Sequence, residues 1–392
     1  AHKSFSAEGL MAIYKLSTPE GRMLMELAEA LLRIPDKATR DFLIRDKLAG
    51  GHWVQDGDKG FLNGAKYALE LAGKMTCQSE AEGLSRLVAR LGMPTLRQAV
   101  EKAMHILGRQ FVYAEGIERA VAQAARSGQL FSFDMLGEAA RSFADETRYY
   151  AAYEAAIHAV GKNARNDDPN QNSGVSIKLS ALSCRFRTRY WPEAATRLGQ
   201  SVVSLVRLAR HYNIPITIDA EEAGRLQPTL AIFRCLLAQP DIATWPGLGI
   251  VVQAYGRRAG QVIEFLIALA KQHKTRIAVR LVKGAYWDSE IKIAQEKGLS
   301  DFPVYTQKNN TDLAYLAHAR QLLGATSWVH PQFATHNAHT LAAICCLAEA
   351  AAPTSFEIQK LHGMGDAVHQ ALAERSPYRL RTYAPVGRHD DL

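Results

Sequence analysis

IAVRLVKGAYW, residues 277–287, is a short, mostly apolar run rich in β-branched side chains that stops abruptly at Lys283, Gly284 and Ala285. A run of that length is too short for a helix and suits a buried strand, with the glycine as its breaker. Ahead of it, Arg258–Gln272 is amphipathic and of helix length. The same alternation recurs outward in both directions. Strand-like runs fall at Phe131–Met135, Val175–Leu179, Ile214–Asp219, Leu248–Ala254, Trp328–Phe333, Phe356–Leu361 and Leu380–Ala384, and segments such as Trp191–His211 lie between most of them. Strands alternating with helices imply a parallel sheet. Eight such units in roughly 260 residues match an α/β fold of the (β/α)8 TIM-like barrel type. An open doubly wound sheet is the alternative, but it usually carries a G-x-G-x-x-G turn after its first strand, and the sequence has none there.

Residues 1–125 read differently, as helices only. Ser17-Thr18-Pro19-Glu20 offers an N-cap and an early proline, and Leu24, Leu27, Ala28, Leu31 and Leu32 then share one helical face. Pro35 ends that helix, and a second over 36–48 runs into Gly50-Gly51. Further helices are expected over 64–75, 80–91 and 95–107. The chain thus divides into a helical arm and α-domain, 1–125, and a barrel, 126–392.

With 47% hydrophobic and 22% charged residues, the 392-residue chain can bury a large core. No apolar stretch is long enough to span a bilayer, and the N-terminus lacks the apolar centre of a signal peptide. Five cysteines without C-x-x-C spacing suit a reducing compartment, so a cytoplasmic location is expected. The net charge of +8 is scattered, with Arg185–Arg189 its densest run. A solvated face explains it, so no nucleic-acid partner is expected of this piece, while peripheral contact with acidic lipid stays open.

Active sites of such barrels form at the C-terminal ends of the strands. Those ends deliver Asp134, Lys178, Asp219-Ala220-Glu221, Gln253, Arg280–Gly284, Thr335-His336-Asn337, Leu361-His362 and Tyr383, a pattern that points to an enzyme. Lys178 must be paired if it faces inward, since an isolated buried ammonium is costly. Asp219 and Glu221 share a strand face at spacing two, and either is a candidate partner. Gly284-Ala285 would let a ligand approach the backbone, Tyr286 and Trp287 would pack on a planar ring, and Arg280 and Gln253 would bond its heteroatoms. A tight turn with two core aromatics is the other reading. No ligand spacing fixes a metal, and none is expected. A Schiff-base aldolase using Lys178 or Lys283 is the rival chemistry.

Taken together, VSIKLSAL (175–182), IDAEEAGR (218–225), VQAY (252–255), RLVKGAYWDSEIK (280–292), PQFATHNAHT (331–340), LHGMG (361–365) and YAPVG (383–387) closely resemble the barrel of the FAD-dependent proline dehydrogenases. LAEALLRIPDKATRDFLIRDK (27–47) is similar to the region that precedes the barrel in the bifunctional proline utilization A family. The resemblance implies oxidation of L-proline to Δ1-pyrroline-5-carboxylate, with hydride passing from proline C5 to N5 of FAD and electrons to a membrane quinone. It assigns FAD binding to Gln253, Arg280, Val282, Lys283, Gly284, Ala285, Tyr286, Trp287, Thr306, Lys308, Thr335, His336 and Asn337. It places Lys178, Asp219, Leu361 and Tyr383 around proline, with Asp134 and Tyr286 close by.

In the family a last helix after YAPVG carries adjacent arginines that clamp the proline carboxylate. This sequence stops at Asp390-Asp391-Leu392, ahead of that pair. The expectation is a distorted barrel with its last helix missing, which keeps FAD and has a greatly raised Michaelis constant for proline. An aldehyde dehydrogenase domain is expected on the full-length chain, and neither glutamate production nor operator binding of this piece.

Overall fold

The computed structural model describes Thr39 and residues 111–186, 191–351, 355–374 and 378–388, with residues 191–193 by backbone alone. The chain divides into two compact units, residues 1–112 with residue 392, and residues 113–391. The helices expected over 17–107 and the last residues, 389–392, lie outside the described residues, and Arg185–Arg189 lies partly outside them.

From Tyr113 the elements run α1 (Ile117–Ser127), β1 (Leu130–Met135), α2 (Phe143–Gly161), β2 (Gly174–Ile177), α3 (Trp191–His211) and β3 (Ile216–Ile218). They continue with α4 (Leu226–Leu237), a short α5 (Pro240–Ala243), β4 (Leu248–Gln253), α6 (Ala259–Gln272), β5 (Ile277–Val282), α7 (Trp287–Glu296) and α8 (Lys308–Leu323). The last are β6 (Val329–Ala334), α9 (Ala338–Ala351), β7 (Glu357–Leu361), α10 (Asp366–Ala373) and β8 (Arg379–Val386). All eight expected strands form, and β8 pairs in parallel with β1 to close the barrel. The unit begins ahead of residue 126, so α1 belongs with the barrel.

Local chemistry sets the helix starts. Ser142 and Asp145 form a reciprocal capping box at α2. Asn337 Oδ1 accepts the Thr340 N–H at the first turn of α9. Between strands and helices lies a continuous apolar layer that includes Ile157, Val175, Leu205, Ile216, Phe233, Ile263, Val279 and Phe333, all buried. The strands are therefore apolar outward, toward the helices.

Inward the barrel is polar, unlike the Val, Ile and Leu layers usual for this fold. At the N-terminal end of the strands, Arg381 holds Glu357 through two bonds, Nε to Oε1 at 2.8 Å and Nη2 to Oε2 at 3.2 Å. Its Nη1 donates to the carbonyls of Phe131 and Asn172, and its Nη2 to that of Asn170. Burial opposes the charge on Glu357, but Arg381 and His330 outweigh it and hold the carboxyl far below the usual carboxylate range. That end of the barrel is a sealed polar plug.

Candidate active site

At the opposite end, where the strands finish, Lys178 Nζ lies 2.7 Å from Asp134 Oδ1 and 3.7 Å from Asp219 Oδ2. Asp219 in turn accepts from Arg280 Nη1 at 2.9 Å and from the Tyr383 hydroxyl at 2.7 Å. Arg280 reaches across the barrel to the hydroxyls of Ser176 (3.1 Å) and Ser132 (3.0 Å) and lies 5.1 Å above the Tyr383 ring. Two cations and two carboxylates thus form one buried network tied to five strands. Burial opposes the charge on Lys178, but Asp134, then Tyr383 and Asp219, outweigh it and hold the ammonium well above its ordinary range. Tyr383 is pushed up by burial and keeps its proton, so it stays a donor to Asp219.

This network corrects one expectation. Lys178 bonds chiefly to Asp134 rather than to Asp219 or Glu221. Strand β3 stops at Ile218, so the spacing-two argument fails. Glu221 turns away, accepting from the Ser180 N–H at 3.0 Å and from Arg225 at 2.5 Å.

A cavity of about 460 Å³ opens above the network. Its lining includes Lys178, Asp219, Leu361, Tyr383, Gln253, Arg280, Val282, Lys283, Gly284, Ala285, Tyr286, Thr335, His336 and Asn337, fourteen of the residues expected from sequence. Gly284 sits at φ +138°, and a Cβ there would lie 2.4 Å from the Tyr255 ring, so glycine is required at this strand end. Gln253 differs from expectation in its bonds. Its Nε2 donates to the Glu221 carbonyl and its Oε1 accepts from the Ala285 N–H, so the amide fixes the loop after β5 and keeps one further N–H on Nε2.

His336 Nε2 accepts the Leu361 N–H at 2.8 Å, which fixes the proton on Nδ1. Burial first, and Lys360 after it, hold the ring below the ordinary imidazole range. The Tyr286 hydroxyl donates to Glu138 at 3.0 Å.

Asp134, Trp287, Thr306 and Lys308 do not line the cavity. Asp134 lies behind the lining and meets it through its bond to Lys178. Trp287 Nε1 donates to the Tyr305 carbonyl and so ties the loop ahead of α8 to the start of α7, whereas Lys308 pairs with Asp312 inside α8, and Lys283 joins that carboxylate to the end of β5. Gln359 and Lys360 line the cavity and were not picked out from sequence. The signal was present, since Glu357 and Gln359 flank Ile358 at strand spacing inside a buried run.

Residues 117–392 match a family model described as "Proline dehydrogenase". The chain belongs to the proline dehydrogenase family. Residues 6–111 match a second model, "DNA-binding domain of Proline dehydrogenase". That description stands against the expectation of no nucleic-acid role for this piece, and apart from Thr39 those residues lie outside the described ones.

The chain is 45% identical over 401 residues to "Bifunctional protein PutA" of Klebsiella aerogenes, covering 98% of this chain and 31% of that protein. It is 30% identical to "Proline dehydrogenase 1" of Bacillus subtilis over 71% of this chain and 82% of that one. A crystal structure of a point mutant of proline utilization A (PutA) from Bradyrhizobium japonicum superposes with a TM-score of 0.72 at 41% identity, covering 98% of this chain and 40% of that chain. This proline dehydrogenase family member therefore spans about a third of the length of the bifunctional relatives it matches.

Proposed function

We propose that this chain is the FAD-dependent proline dehydrogenase part of a bifunctional proline-catabolic enzyme. One observation carries the reading. Arg280 Nε is buried, has no hydrogen-bond partner among the described residues, and belongs to a side chain lining the cavity. A buried donor left over is costly unless a ligand accepts from it, and a flavin ring presents such acceptors. The cavity volume falls within the range of small-molecule sites.

Residues at the ends of strands β4, β5 and β6 would hold the cofactor: Gln253 by the remaining N–H of its amide, Arg280 by its free Nε, Val282, Gly284 and Ala285 by close approach of the backbone, and Thr335, His336 and Asn337 at the rim. Bound FAD would supply the two-electron oxidation, by which L-proline would lose a hydride from C5 to flavin N5 and become Δ1-pyrroline-5-carboxylate, with a membrane quinone as the final electron acceptor.

The protein's own part is position and field. Lys178 stays charged and faces the cavity, so it attracts the proline carboxylate. Asp134 and Asp219 hold that ammonium in place. Tyr383 and Leu361 close the side of the cavity formed by β7 and β8. Neither carboxylate is a free base, because each already accepts from a cation. The aldolase reading needs a neutral lysine, and the charge held on Lys178 removes it as that nucleophile.

The longer relatives support an aldehyde dehydrogenase domain elsewhere on the full-length chain. No helix among the described residues is long and apolar enough to cross a membrane, and a cytoplasmic enzyme touching the membrane only at its surface would meet the quinone there.

The test is the visible spectrum of the purified protein. A yellow protein whose flavin band bleaches anaerobically with L-proline supports the reading. A colourless protein that takes up no FAD, or one trapped by borohydride with a keto substrate, would overturn it.

A further inference from the structure

The cavity is lined by four cationic side chains, Lys178, Arg280, Lys283 and Lys360, against one carboxylate, Asp219. Such an excess attracts anions. The four are not held alike. Lys178 and Arg280 are locked to carboxylates that are themselves buried. Lys283 shares Asp312 with Lys308. Lys360 is the exception: its side chain is 15% exposed, while its partner Asp366, 2.5 Å away at the start of α10, is 62% exposed.

That asymmetry sets the energetics. Exchanging Asp366 for another anion costs little, because the released carboxylate is already 62% exposed and Lys360 keeps a partner. Lys360 stays behind, shielded and facing the cavity. Strand alternation puts Gln359 and Leu361 on one face of β7 and Lys360 on the other, yet all three line the cavity. The cavity therefore reaches over the end of β7 toward His336. Burial holds His336, His362 and His369 below the ordinary imidazole range, with Lys360 adding to the effect and Asp366 opposing it, so both members of this pair face the three rings.

We infer that Lys360 is an oxyanion-binding residue of this site, held by Asp366 until a phosphate or carboxylate of the ligand displaces that side chain. The inference rests on the proposed flavin and proline site. The oxyanion is a phosphate of the cofactor or the carboxylate of the substrate, and two titrations separate them.

The test compares Lys360→Met and Asp366→Asn in the full chain. FAD affinity is read by fluorescence titration of the deflavinated protein. Carboxylate affinity is read by spectral titration of the flavin-loaded protein with tetrahydrofuran-2-carboxylate, a proline analogue without the ring N–H. Opposite signs are expected in one titration. Lys360→Met weakens that ligand about tenfold, as loss of a charge-assisted bond does. Asp366→Asn, which removes the competitor, tightens it roughly two- to fivefold. A shift in FAD alone identifies the phosphate, and a shift in the analogue alone the carboxylate. Two variants that shift the same way, or leave both affinities unchanged while lowering the urea midpoint equally, would mark a structural ion pair and overturn the inference. Should Lys360→Met not fold, Lys360→Gln is read by the same criterion. A wild-type protein that binds no flavin would overturn the proposed function and this inference with it.

Discussion

The barrel encloses two buried ionic clusters at opposite ends of the same strands, and they differ in whether the hydrogen bonds of the arginine at their centre are complete. At the lower end every nitrogen of Arg381 has an acceptor, and Glu357 takes two of those bonds plus one from Gln359 Nε2 at 2.6 Å. At the upper end Arg280 is equally buried, but its Nε is left over and a cavity opens beside it. The same residue chemistry therefore has two uses. An arginine with every donor bonded within the protein acts as a structural tie, whereas an unfilled donor at the edge of a cavity makes a place for a ligand.

The lower cluster should break most severely. Arg381→Met strands the Glu357 carboxylate at 0% exposure, and removing one partner of a buried pair costs about 3–5 kcal/mol. Urea unfolding measures that loss, and a drop below about 1 kcal/mol would mean the plug is not structural. At the upper end the effect belongs to turnover. Lys178→Met should slow anaerobic flavin reduction by proline roughly 10²-fold, the scale for one electrostatic contact to a reacting group, and stopped-flow bleaching of the flavin band is the check. An unchanged rate would place Lys178 outside the reaction.

Beside the cavity, the His369 ring packs edge-on against His336 at 5.7 Å. Burial, with His336 adding to it, pulls its pKa down to about 4. The unfolded chain then binds the proton more readily than the folded one between about pH 6.5 and pH 4, so stability is full above that window and falls as pH drops through it. His369→Phe should lessen the loss between pH 7 and pH 5 by on the order of 1 kcal/mol, read from urea midpoints. An identical pH profile for the variant and wild type would contradict this. The smallest effect is expected at Lys308, 76% exposed on its side chain. Lys308→Ala should change FAD affinity less than about twofold, and a larger loss would return it to the cofactor site.

Much of this was readable in sequence because each strand end combines a local period with a breaker. Ile277–Val282 and Trp191–His211 have the same bounds in the structure as in the sequence reading, since apolar period and flanking glycine or polar residues act within a few positions. The polar strand ends gave most of the cavity lining for the same reason. Partners across strands were not readable. Asp134 meets Lys178 because β1 and β2 pair with Asp134 opposite Ser176, a register that no spacing within either segment specifies. Glu357 and Arg381 are likewise joined by the pairing of β7 with β8, where Gln359 lies opposite Arg381. Lys360 was hidden inside a run read only as an apolar strand.

The contrast between the two arginines is tested most directly by measuring FAD affinity and urea stability for Arg280→Met and Arg381→Met side by side. The expected result is a crossed order: Arg280→Met loses more FAD affinity, and Arg381→Met loses more stability. If Arg381→Met lost the more affinity, or if Arg280→Met bound FAD as tightly as wild type, the division between ligand site and plug would be wrong.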